Sequence, residues 1–168
     1  MKRLFIATAM AVCAGAAAQA QDIRFDIALT QACLAGLPEG AAPDACIGVS
    51  ANACIEATPD GYTTVGMGIC HGQELGYWDT RLNAAYGQLR DRHQAADAEL
   101  DQLGSAAPRR APALQEMQRA WIAYRDATCD YERSYWGGGT GGGPATVACH
   151  MRLTAGQALY LETELLAD

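Results

Sequence analysis

The stretch LQEMQRAWIAYRDATCDYERSYW, residues 114–136, decides the fold. Leu114, Met117, Trp121, Tyr124, Thr128, Tyr131 and Tyr135 recur at alternating steps of three and four, the spacing that puts side chains on one face of a helix. Pro112 stands where a first-turn proline is tolerated, and Gly137 stops the pattern. The spacing predicts a helix whose aromatic and aliphatic stripe, Tyr124 included, faces a core.

The same rhythm continues on both sides. Upstream, Leu75, Trp78, Leu82, Ala85 and Leu89 share a face, with Thr63 or Thr64 as start cap and Gly104 and Pro108 marking the end. Downstream, a helix is predicted from Ala145 to Leu166, carrying Val147, Met151, Thr154, Ala158, Leu161 and Leu165 on one side. No segment alternates β-branched and polar residues well enough to predict a strand. Three amphipathic helices bury their stripes best against one another, so the expected fold is all-α, a small antiparallel helical bundle stapled by disulfides.

Residues 21–64 read differently, with three cysteines, several prolines and glycines and little periodicity. Short helices are predicted over Asp26–Leu37 and Ile47–Ala57. The segment is too small to bury a core unaided and reads as a stapled extension of the bundle domain, residues 65–168. Residues 1–20 read as a secretory signal peptide: Lys2 and Arg3, an alanine-rich apolar run, then Ala18-Gln19-Ala20 as the cleavage box. The apolar run is shorter than the roughly 20 residues of a spanning helix, so no membrane insertion is expected after cleavage. The expected location is periplasmic or secreted.

Cleavage would leave ten arginines, no lysine and nineteen carboxylates, a formal charge near −9. Such a chain is a poor match for nucleic acid, whose phosphates need clustered cations, and electrostatic steering would favour a cationic partner. Six cysteines would remain, an even number that reads as a disulfide framework in an exported chain. Cys129 lies late in one helix and Cys149 early in the next, with a glycine-rich reversal between them, so these two are expected to pair. Cys54–Cys70 would then tie the extension to the bundle and leave Cys33–Cys46 as a local clasp, though sequence alone keeps those two pairings open.

Catalytic patterns are sparse. There is no Gly-x-Ser-x-Gly elbow or His-Glu-x-x-His helix, and a chain without lysine has neither a P-loop lysine nor a Schiff base. His71 and His150 follow cysteines, but a bridged cysteine offers no thiolate. Metal ligands are scattered, and no metal or cofactor is expected. Asp126 with Asp130, or Glu162, would suit glycoside hydrolysis only beside a substrate cleft and read better as solvated or arginine-paired acids. One polar set stands out: Asp79 and Asn83 four apart on one helix, and Gln118, Arg125 and Asp126 on the next. Arg125 is expected at the edge of the bundle, tying the two helices through Asn83 and an acid. Gly137, Gly138, Gly139, Thr140, Gly141, Gly142 and Gly143 read as a flexible connector with the exposure a partner-contact loop needs.

The stretches Trp78–Tyr86 and Leu114–Cys129, followed by the glycine-rich turn, Cys149 and Leu153-Thr154, resemble the lysozyme-inhibitor LprI-like family of exported bacterial helical domains. The resemblance runs over about residues 54–166, and its motif falls on Cys54, Cys70, Asp79, Leu82, Asn83, Tyr86, Gln118, Trp121, Tyr124, Arg125, Asp126, Cys129 and Cys149. The chain departs from the simplest members in its extension with Cys33 and Cys46. It also has Thr140 amid glycines where the family usually has a serine. The resemblance implies a non-enzymatic protein-binding domain that inhibits lysozyme, a cationic lysozyme-like protein being the expected partner. The other reading is a structural or adaptor module of the cell envelope without lysozyme affinity.

Overall fold

A computed structural model describes residues 22–167; the signal peptide expected over residues 1–20 lies outside the described residues. Among the described residues there are five α-helices: α1 Ala28–Ala35, α2 Val49–Ala57, α3 Thr64–Gln102, α4 Arg110–Ser134 and α5 Gly142–Ala167, with a 3-10 turn at Pro43–Cys46. Local chemistry sets the ends. Asp26 accepts from the Ala28 N–H at 2.9 Å, and Thr63 caps α3 by accepting from the Gly66 N–H at 3.0 Å. Gly104, at φ +63°, ends α3 with the Ser105 N–H reaching back to the Leu100 carbonyl, a Schellman arrangement.

The long helices run up, down and up. Asp97 near the end of α3 meets the start of α4, and Cys129 late in α4 is bonded to Cys149 early in α5. The core is continuous through Trp78, Leu82, Ala85 and Leu89 of α3, Leu114 of α4 and Met151, Ala155, Ala158 and Leu161 of α5. Alanines on α5 let α3 approach closely, which suits packing of one helix's ridges into the other's grooves.

The expected stripe of α4 needs correction. Its buried residues are Leu114, Gln118 and Cys129, whereas Tyr124, Tyr131 and Tyr135 are 61, 62 and 70 % exposed. Cys129 must face Cys149, and Glu132 reaches Arg152 at 2.6 Å, so the inward face of α4 is set by its bonds to α5. Positions seven apart drift about 20° per heptad on a straight helix, and that drift carries the tyrosines the opposite way.

The N-terminal segment is clamped onto the bundle by polar and covalent links. The Glu74 carboxylate of α3, fully buried, accepts from the N–H groups of Gly48 and Ala51 at 2.8 and 2.7 Å and from the Trp78 indole at 3.0 Å. It caps α2 from outside, where the helix dipole favours an anion. Gly48 sits at φ +89°, a conformation that lets its N–H turn toward Glu74. Thr30 and Ser50, both buried, exchange backbone-to-hydroxyl hydrogen bonds at 3.0 Å and lock α1 to α2. Bridges join Cys33 to Cys46 and Cys54 to Cys70, completing three disulfides with Cys129–Cys149.

Candidate functional site

The polar set expected to bridge α3 and α4 does not assemble as one network. Asn83 donates to Asp79 at 3.0 Å on its own helix, and both are exposed. Arg125 pairs with its neighbour Asp126, its Nε donating at 2.9 Å, and its guanidinium lies 5.0 Å over the Trp121 ring. Gln118 turns to α5, accepting from the Gln157 amide at 3.0 Å. Each group is satisfied within its own helix or toward α5, because the α4 residues near α3 are those placed by the Cys129 register.

Another arginine ties two helices. Arg81 of α3 grips Glu162 of α5 through Nε at 2.7 Å and a second nitrogen at 2.5 Å. Its Nη1 donates to the Tyr77 hydroxyl at 2.9 Å, and the guanidinium lies 5.0 Å from the Trp78 ring centre. Burial works against this charge, but the Glu162 and Tyr77 partners outweigh it and raise the Arg81 pKa further. The forked pairing and ring stacking suit a guanidinium, which an ammonium would not replace. The sequence held one usable signal for this tie: Arg81 lies three residues after the core Trp78, within reach of its ring.

The glycine-rich segment is a hydrogen-bonded turn, not a free connector. The Gly139 N–H donates to the Trp136 carbonyl at 2.9 Å, and the Gly142 N–H to Gly139 at 3.2 Å. Gly142 and Gly143 belong to the first turn of α5, where Pro144 continues the helix, so the turn proper spans Gly137–Gly141. The Trp136 ring folds against Gly141 so closely that a Cβ there would meet ring atoms. Beneath this ring lies a cavity of about 180 Å³ bounded by Met67, His71 and Pro144. Burial lowers the His71 pKa, with Glu74 opposing it, and its Nδ1 has no hydrogen-bond partner.

Two further groups have displaced proton equilibria. Burial disfavours the Asp97 carboxylate, but the N–H groups of Ala111 and Arg110, each at 2.9 Å, together with Arg109 and His93, outweigh it and hold its pKa low. Asp97 is thus a cap supplied to α4 from the end of α3. Tyr135 donates its hydroxyl to Tyr131, which raises its pKa, and the two rings meet edge to face at 5.0 Å. An open cleft of about 400 Å³ lies between the N-terminal segment and α5, lined by Ile47, Gly48 and Met151 with Asp44, Asn52 and Arg152. Among the described residues no three His, Cys, Asp or Glu side chains converge as metal ligands, and no helix is long and apolar enough to cross a membrane.

Comparison with known proteins bears on this arrangement. Residues 54–161 match the family model described as lysozyme inhibitor LprI, from Cys54 in α2 through most of α5. An uncharacterized 17.7 kDa protein in the puhA 5' region of Rhodobacter capsulatus is 31 % identical over 134 residues, covering 79 % of this chain and 82 % of that protein. An uncharacterized protein of Rhizobium meliloti (strain 1021) is 38 % identical over 64 residues, 38 % of this chain and 46 % of its own length. No solved structure matches. The matched span holds Cys54–Cys70, Cys129–Cys149, the Arg81 tie and the glycine turn, with α1 and its clasp added in front, and on these grounds the chain belongs to the lysozyme inhibitor LprI family.

Proposed function

We propose that this chain is an extracytoplasmic, non-enzymatic protein-binding domain that engages a cationic lysozyme-like muramidase and blocks it. The observation that carries this reading is membership of an inhibitor family, in a chain whose disulfides suit an oxidising compartment. Several groups a hydrolase could use are engaged elsewhere. Glu74 and Asp97 cap helices, Glu162 is bound to Arg81, and six cysteines are bridged and offer no nucleophile. Residues 21–168 carry a formal charge near −9, which would steer a cationic partner toward the domain. The Gly137–Gly141 turn, held by its own hydrogen bonds and by Trp136 and exposed over residues 137–140, is the preformed segment we assign to the cleft lined by catalytic carboxylates.

The test is lysis of cell-wall substrate by several lysozymes with oxidised residues 21–168 added at increasing concentration. Saturable, stoichiometric inhibition that weakens as salt rises is the expected result. Folded protein that inhibits no lysozyme type would overturn this function and favour an envelope adaptor module.

A further inference from the structure

The glycine turn is fastened to the bundle by one ring. Trp136 lies against Gly141 and closes one side of the small cavity whose other walls are Met67 and His71 of α3 and Pro144, Ala145 and Ala148 of α5. His71 is the one titratable wall among these residues. The Trp136 ring rests on the cavity with half of its surface still in solvent, whereas the walls on α3 and α5 belong to the helices that share the core.

Three features make this a place for a neutral imidazole and a poor one for an imidazolium. The Nδ1 of His71 is closed to solvent and meets no hydrogen-bond partner. On the neutral ring that nitrogen can stay a bare lone pair, but on the charged ring it bears a hydrogen, and a buried donor without an acceptor is costly. The nearby carboxylate is already committed: Glu74, one turn along α3, accepts from Gly48, Ala51 and Trp78. Pro144 and Ala145 lie in the first turn of α5, whose positive dipole end disfavours a cation. Glu74 attracts the charge, yet burial outweighs it and lowers the His71 pKa. Of the charged groups on α4 near the turn, Arg133 lies along Gly142 and Glu132 is held by Arg152 of α5; none of the three lines the cavity, and neither does any residue of α2.

We propose that protonation of His71 unseats Trp136 and loosens the Gly137–Gly141 turn, so that the turn is fixed near neutral pH and released in acid. A charged His71 is relieved when water reaches Nδ1, and the half-exposed Trp136 ring is the wall that can give way. Once that ring leaves Gly141, the Trp136 carbonyl no longer holds the Gly139 N–H in place. The sign follows from linkage. The closed seat is favoured in full above the ordinary histidine value of about 6.5 and loses that advantage as pH falls through the lower value of the seated ring. The switch stands without the inhibitor function, and its control of inhibition rests on that function.

The experiment is an NMR titration of oxidised residues 21–168 from about pH 8 to about pH 4.5, on wild type and His71→Phe. The His71 ring signals report its protonation, and NOEs between the Trp136 ring and Gly141 report the seat. The expected result is loss of these NOEs as His71 takes up its proton, at a midpoint below that of an exposed histidine. In His71→Phe, where the wall is a ring without a charge, they are expected to persist across the range. NOEs undiminished in wild type with His71 protonated overturn the proposal and need no variant. Their loss at the same pH in His71→Phe overturns it as well, and so does a His71 ring that stays neutral throughout. Calorimetric titration with a cationic lysozyme at about pH 7.5 and about pH 5.5 then tests the link to inhibition. Affinity falling about tenfold more in wild type than in His71→Phe is expected. Equal falls overturn that link alone, and wild type that binds no lysozyme at either pH overturns the inhibitor function and leaves the switch standing.

Discussion

Residues 22–63 and residues 64–167 are held together by different physics. In the long-helix region, the apolar faces of α3 and α5 meet over many turns, with Leu114 of α4 against them, and Trp78, Leu89 and Leu161 disappear from solvent. Each such side chain contributes roughly 1.5–3 kcal/mol by burial. The N-terminal region has helices of only eight and nine residues, and its apolar share is smaller: Ala51 in the main core, and Ile55 with Ile23 and Phe25 in a second small cluster against Met67. Its own parts are tied together by the Thr30–Ser50 hydroxyl pair and the Cys33–Cys46 bridge, and it is attached to α3 by the buried Glu74 carboxylate, the Cys54–Cys70 bridge and the packing of Ala51 and Ile55. Short helices are marginal alone, so directed bonds and crosslinks replace the missing area.

The largest test of this contrast is Glu74→Ala. It leaves the Gly48 and Ala51 N–H groups and the Trp78 indole without their acceptor in a buried place. A loss of about 4 kcal/mol is expected in urea unfolding, with amides of residues 22–63 exchanging fastest. A loss under about 1 kcal/mol would mean that apolar contact through Ala51 and Ile47 already holds the segment. Next comes Cys33→Ser/Cys46→Ser, which opens the clasp outside the family-matched span. The chain-entropy account gives about 3 kcal/mol for a loop of this length. Hydrogen exchange should show α1 released while α3 to α5 keep their protection; equal loss in both regions would make the two a single cooperative unit.

The smallest effect concerns the bundle itself and depends on pH. Asp97 has a lowered pKa in the folded chain, so its cap stabilises fully above the unfolded value and is lost as pH falls through the folded one. Wild type should therefore lose more thermal stability than Asp97→Asn as pH drops below about 4. Parallel curves for the two proteins would remove polar capping from the list of forces in the bundle and sharpen the contrast with Glu74.

Much of the fold is legible in the spacing of apolar residues. The limits of α3 and α4, the stripe Trp78–Leu82–Ala85–Leu89 and the Cys129–Cys149 bridge follow from helical period and a chain reversal, and all appear in the structure. The candidate site was less legible. Arg125 and Asn83 looked like an interhelical tie because their spacing is right, yet spacing along one helix does not say what lies opposite on another. Arg81 meets Glu162 across 81 positions of sequence, a separation no local pattern encodes. Glu74 was readable in part: it sits four residues from Cys70 and from Trp78, an acid in register with a buried stripe.

By itself, the sequence determined that the chain forms long helices, where α3 and α4 start and stop, and its family, because period, caps and motif residues are properties of neighbouring positions. The start of α5 at Gly142 rather than Ala145 was hidden in the glycine run. Only the tertiary structure decided which face of α4 turns inward. A stripe of period three and four is compatible with a range of rotations about the helix axis. The bonds of Cys129, Gln118 and Glu132 to α5 select one rotation, and that choice leaves Tyr124, Tyr131 and Tyr135 in solvent.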